Sequence, residues 1–221
     1  MHHLFLLKII FSLLSPLTHT HIIATSSWGV IPQSPTHTVT SRKALLNSWR
    51  TVFEHTIHNS VSNKTVTYEI IDQKGEGAVT IFAFDTRTKL CTLIREYQPG
   101  GNSILFGTAA GLIESKHSSV EDAAISESNE ELQLKNGTLL RLTARPIIHD
   151  KYSSCKFHCF LLLDAVSDDE AAEQDAEEEI EVIRGLTIAE VKDLVRGGEM
   201  NVVGVAACLL AIDKLDSLKL L

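Results

Sequence analysis

The chain has 221 residues, with 28 Asp and Glu against 20 Lys and Arg and a formal net charge of −8. That balance, with no dense Lys/Arg run, argues against a grip on nucleic acid through its phosphates. Hydrophobic residues make up 44% of the chain, enough for one ordinary core and short for two.

Residues 1–40 read differently from the rest. Leu4 to Leu17 is an apolar run broken by Lys8, followed by a Thr/His/Ser/Pro-rich piece reaching Thr40. A run of about 14 residues falls short of the roughly 20 needed to cross a bilayer, so no stable membrane span is expected. A secretory signal or an organelle-targeting presequence fits such a run. The alternative is a disordered tail on a cytoplasmic protein. The sequons at Asn63 and Asn136 matter only on the secretory route. Residues 41–221 are expected to form one domain.

From Ser41 to Asn59 the apolar residues Leu45, Leu46, Trp49, Val52 and Phe53 recur at helical spacing, which predicts a short amphipathic helix docked on the domain. Thr65 to Ile71, Gly77 to Phe84 and Leu90 to Tyr97 read as strands, the last two joined by a turn at Asp85 to Lys89, so a meander is expected. Cys91, Cys155, Cys159 and Cys208 lack zinc-site spacing and are too few for a disulfide framework. Buried thiols are expected.

A glycine-ended loop then runs from Gly111 into Ser118 and Ser119, both good N-caps, and Glu121 lies three residues after Ser118, as a capping box requires. A helix should start near Val120. On it Glu127, Glu130 and Glu131 stand at i, i+3 and i+4, where like charges repel by about 0.2 to 0.5 kcal/mol per pair. A bound cation turns that cost into a gain, and hard ions such as Mg²⁺ take oxygen ligands. By spacing alone a solvated acidic face serves equally well. Further on, Thr138 to Ala144 and Lys156 to Ala165 read as strands, the second apolar enough to be central, with His158 a satisfied core histidine. Ser167 to Glu181 is an acidic run that must be mostly solvated. Asn201 to Leu215 is a strongly apolar helix that must lie against the sheet or a second subunit.

The segment from Gly111 to Leu134 resembles a Nudix box: Gly, five residues, Glu, seven residues, then Arg-Glu-apolar-x-Glu-Glu-x-Gly-apolar. Gly111 matches the opening glycine. Ala110-Gly111-Leu112-Ile113-Glu114 resembles the Ala-Gly-x-x-Glu turn of nucleoside-diphosphate-sugar pyrophosphatases, and Glu127, Glu130 and Glu131 fall on the three metal-binding glutamates. The departures are His117 for the first Glu, one extra residue in the loop, Ser126 for the Arg, Ser128 for the apolar residue and Gln133 for the Gly. Lys116-His117, Asp122-Ala123-Ala124 and the glutamates resemble an algal and plant-like branch.

The resemblance covers residues 65–215 and implies an α/β fold, a Nudix α/β/α sandwich around a mixed sheet, with residues 178–199 forming the family's loop, last strand and following helix. It implies hydrolysis of the diphosphate of a nucleoside diphosphate sugar similar to ADP-ribose, dependent on Mg²⁺ or Mn²⁺. Ala110, through its carbonyl, would join Glu127, Glu130 and Glu131 as a metal ligand. Glu178 or Glu179 would act as general base. Arg95-Glu96-Tyr97-Gln98 resembles the family's Arg-Gln-Tyr-Arg strand end, which assigns Arg95 and Tyr97 to the substrate, although a strand-end Arg also suits a surface ion pair. Gly107 stands where relatives often carry a Glu. Relatives of this sort are often homodimers, in which Thr65 to Ile71 would reach a neighbour's pocket. Ser126 is too short to pin a carboxylate bidentately, which favours a second reading, a catalytically degenerate module that binds a nucleotide or a protein. If catalysis persists, Lys116 and His117 are the basic groups nearest in sequence to steady the helix.

Overall fold

The computed structural model describes residues 20–23, 33–48, 50–73, 75–171 and 179–221. In chain order the strands are β1 (Thr20–Ile23), β2 (His37–Asn47), β3 (Thr51–Asn59), β4 (Lys64–Asp72), β5 (Ala78–Asp85), β6 (Leu90–Gln98), β7 (Ser103–Gly107), β8 (Ala109–Leu112), β9 (Leu134–Lys135), β10 (Gly137–Arg141), β11 (Ile147–Ile148), β12 (Lys156–Leu163), β13 (Val166–Ser167) and β14 (Ile180–Thr187). The described helices are α1 (Val120–Glu130), α2 (Ile188–Gly197) and α3 (Val202–Ser217).

A mixed sheet runs in the order β1-β10-β12-β5-β6-β14. β12 lies parallel to β5, whereas β6 is antiparallel to both β5 and β14. Because successive side chains point to opposite faces of a strand, the apolar run Ala78–Phe84 serves two cores. Val79, Ile81 and Ala83 pack with Ala123 and Ala124 of α1. Phe82 and Phe84 pack with Val191 of α2 and with Cys208, Ala211, Ile212 and Leu215 of α3. Helices therefore cover both faces of the sheet, the expected α/β/α sandwich. All four cysteines are free and buried, as their spacing predicts.

β5 and β6 pair only through Ala83 to Asp85 and Leu90 to Thr92. Beyond that point β5 takes β8 as its partner and β6 takes β7. The sheet thus forks, and the turn between β7 and β8 occupies the fork.

The first domain helix expected from the sequence is absent. Among the described residues of this stretch, 41–47 belong to β2 and 51–59 are β3, which together with β4 make a separate three-stranded antiparallel sheet. Thr51-Val-Phe-Glu-His-Thr-Ile-His is rich in β-branched and aromatic residues, and β3 pairs with β4 along its whole length from Thr51↔Asp72 to Asn59↔Lys64. β4 accordingly leaves the expected meander. β1 lies inside the stretch read as a targeting or disordered extension, and its backbone pairs in parallel with β10. The apolar run from Leu4 to Leu17 lies outside the described residues. No described helix is long and apolar enough to cross a membrane.

Candidate active site

α1 begins where the sequence places it, but Ser119 is the cap: its side chain accepts from the Asp122 N–H at 3.0 Å. Ser118 instead donates through its N–H and hydroxyl to the Asp122 carboxylate. Glu121 is thereby released from the expected capping box and turns inward, where Arg141 of β10 meets it through Nε and Nη2, each 2.5 Å from Oε1. A buried charge is kept only with a partner, so this pair ties the first turn of α1 to the sheet.

At the other end of α1 the three glutamates part company. Glu131, buried, accepts from the Ala110 N–H at 2.8 Å. Glu127, also buried, lies against Gly111: a Cβ there would stand 2.0 Å from its Oε1. Glu130 accepts from the Ser126 hydroxyl at 2.9 Å, a contact within the helix. Two carboxylates from adjacent turns thus converge on the Ala110-Gly111 backbone of β8. Ser128 binds the Ala124 carbonyl, 2.6 Å away, which lets a polar residue occupy a buried position normally apolar.

The cleft beside these groups has a volume of about 580 Å³. It is lined by Glu131, Ala110, Thr108, Glu96 and Gln98 and by the apolar Val52, Ile71, Ile94, Phe157, Val202 and Val203. Arg50, His149 and Asp150 lie on its rim. Asn201 caps α3 here by accepting from the Gly204 N–H, 2.7 Å away. Gly107 and Gly204 allow the approach, since a Cβ on Gly204 would come 3.1 Å from the Gly107 Cα. The Asn201 amide lies 2.8 Å from where a Cβ on Gly107 would stand.

β6 presents to this cleft the residues that alternate with Ile94, namely Glu96 and Gln98. Arg95 and Tyr97, expected to meet the substrate, point to the other face. Arg95 Nη2 pairs with Glu181 Oε2 at 2.6 Å, and the Tyr97 hydroxyl donates to Asn102 Oδ1 at 2.8 Å. Burial raises the Glu96 carboxyl above the ordinary carboxylate range, and the hydrogen bond from Gln98 Nε2, at 2.6 Å, opposes that rise. Strand parity counted from the apolar Ile94 would have found Glu96; the resemblance drew attention to its neighbours instead.

Of the two loop glutamates, Glu178 lies outside the described residues. Glu179 is exposed and precedes Ile180, whose ladder partner is Glu96. Lys116 acts on α1 through its charge, which attracts Glu130 and Glu127. Lys116 pairs with Glu114 at 2.9 Å in an exposed loop, and His117 Nδ1 accepts from the Glu114 N–H. Two basic groups hydrogen-bond to the ends of α1 from distant strands: Arg141, and Arg184 of β14, which donates to the Leu132 carbonyl at 2.9 Å.

Glu127 and Glu131 suit a hard divalent cation in kind, being oxygen donors seated together because Gly111 leaves room. Among the described residues no three His, Cys, Asp or Glu side chains are gathered to hold an ion by themselves.

The NUDIX domain family model matches residues 75–201, more than half of the chain. The chain belongs to that family and is a Nudix hydrolase by class. Its structure is similar to the crystal structure of an ADP compounds hydrolase, with a TM-score of 0.69 and 22% sequence identity, over 86% of this chain and 100% of that one. At that identity the likeness is one of fold. No curated protein matches the chain in sequence.

Proposed function

We propose that the protein hydrolyses the diphosphate bond of a nucleoside diphosphate sugar similar to ADP-ribose, releasing nucleoside monophosphate and sugar phosphate in a Mg²⁺-dependent or Mn²⁺-dependent reaction. The observation that carries this reading is the cleft, whose lining brings together the carboxylates of Glu131 and Glu96, the Ala110 backbone, apolar side chains and the N-terminus of α3. Its volume of about 580 Å³ is within the usual range for small-molecule sites. The apolar walls suit a base and ribose. The amide-rich start of α3 suits phosphate oxygens.

In this reading Glu127 and Glu131, with the Ala110 carbonyl, hold the cation, and Glu130 is a further donor on the same turn. A bound divalent ion offsets the charge that develops on the phosphate oxygens. Glu131 keeps α1 against β8 through the Ala110 N–H. Glu96 lines the same cleft, and a carboxyl raised by burial is the better proton acceptor for an attacking water near neutral pH. Glu179, which precedes the Ile180 that pairs with Glu96, is the second source of a base, with Glu178 the other candidate from the same stretch of sequence. The fully exposed β2 is one edge of a sheet with partners only on its inner side, which supports a homodimer joined through the β2–β4 sheet.

The test is a Mg²⁺-dependent hydrolysis screen over ADP-ribose, ADP-glucose, UDP-glucose and diadenosine polyphosphates, with products resolved. Glu127→Gln should abolish turnover, and Glu96→Gln should lower kcat more than Glu179→Gln does. Equal trace activity of wild type and Glu127→Gln on every compound would refute hydrolysis and leave the binding module.

A further inference from the structure

α1 carries its three glutamates in its C-terminal half, the negative end of the helix dipole, where anions are least welcome. Its last turn contains no basic residue. Ser126 reaches only Glu130 in the same helix, so it anchors nothing to the sheet. A cation from β14 reaches the backbone at this end. Arg184 Nη2 donates to the Leu132 carbonyl at 2.9 Å and lies 3.3 Å from Gln133 Oε1. Leu132 is fully buried in the core on the α1 side, and Gln133 leaves the helix in the left-handed region at φ 54°. Arg184 therefore grips the backbone immediately after Glu131.

The local build of β14 favours this placement. Arg184 pairs with Thr92 and Leu186 with Cys91, so Gly185, at φ 83°, is an extra residue in the ladder. Such bulges re-aim side chains next to functional sites. Here Leu186 enters the opposite core, packed against α2 and α3, while Arg184 stays on the α1 side.

We propose that Arg184 is a positioning residue for the metal-binding glutamates: it supplies positive charge at the C-terminus of α1 and fixes the turn that holds Glu127 and Glu131 against β8. This rests on the reading of Glu127 and Glu131 as cation ligands. Without the guanidinium, the helix end keeps only the charge of Lys116 acting on Glu127 and Glu130, and the Glu131 to Ala110 contact loses its nearest anchor.

The experiment is thermal melting of the full chain across a Mg²⁺ titration, for wild type, Arg184→Gln, Arg184→Lys and Glu131→Gln. Arg184 is exposed, so its variants should fold. Arg184→Gln should shift the Mg²⁺ midpoint upward by about 10- to 100-fold, the usual loss when a group orienting a ligand is removed. Arg184→Lys should fall between, because it keeps the charge without the planar fork. In hydrolysis the Mg²⁺ activation constant of Arg184→Gln should rise, with substrate KM at saturating Mg²⁺ unchanged. An unchanged Mg²⁺ midpoint in Arg184→Gln, with Glu131→Gln losing the response, overturns the role of Arg184 and leaves the metal reading standing. A lower melting temperature of that variant without Mg²⁺ would not rescue the role, since loss of a helix cap by itself has that effect. Identical Mg²⁺ responses, or none, in wild type and Glu131→Gln overturn the metal reading and this role together.

Discussion

Replacing Gly111 by Ala separates folding from ion binding. The new methyl would stand 2.0 Å from Glu127 Oε1, 2.1 Å from its Cδ and 2.4 Å from Oε2. Carbon contacts settle near 3.5 Å, so the carboxylate must retreat by more than about 1 Å. The obstacle is the far end of a flexible side chain, and Gly111 is not among the positive-φ glycines. Overpacking costs about 1 to 3 kcal/mol at most sites, offset by the roughly 0.4 to 1 kcal/mol that Gly→Ala gains by restricting the unfolded chain. The net loss should stay below about 3 kcal/mol, or no more than about 10 °C of Tm for a chain of this size. The ion response should suffer much more, because the displaced group is a proposed ligand. Melting with and without Mg²⁺ measures both. A Gly111→Ala protein that keeps the wild-type Mg²⁺ shift would refute the placement of Glu127 at the cation.

Arg141→Met should destabilise by about 3 to 5 kcal/mol, since it strands Glu121, whose side chain is only 8% exposed, without a counter-charge; the double variant Glu121→Gln/Arg141→Met should recover part of the loss, and an Arg141→Met Tm within error of wild type would rule out a stabilising role for the pair. Burial, then the charge of Lys156, depresses His158 from 6.5 to about 4, with Glu121 opposing and Arg141 adding to the shift. The unfolded chain therefore binds the proton first, so the contribution of His158 is complete above pH 6.5 and is lost as pH falls from there toward 4. His158→Gln should flatten stability across that window in pH-dependent denaturant melts, and an unchanged slope would count against it. Mass spectrometry of the native protein should find the first 20 to 40 or so residues removed, as an apolar leader predicts; an intact Met1 or His2 terminus would exclude processing.

What could be read from the chain directly was whatever repeats locally. The 3.6-residue spacing of Glu127, Glu130 and Glu131 and the serines before Val120 located α1, and the apolar runs of β5 and β12 announced central strands, because helix and strand geometry repeat over a few residues. The choice of face and partner was not local. Leu45, Leu46, Val52 and Phe53 suited a helix by spacing, yet the pairing of β2 with β3 and of β3 with β4 made them strands. Arg95 and Tyr97 matched a motif, but the parity of β6, set by Ile94 entering the core, gave the cleft to Glu96 and Gln98. Arg141 and Arg184 lie 20 residues from Glu121 and 52 from Leu132, and only the order of strands in the sheet brings them to the two ends of α1. Periodicity is a property of neighbouring residues, whereas the partners of a buried charge or a helix end are set by which strands close around it.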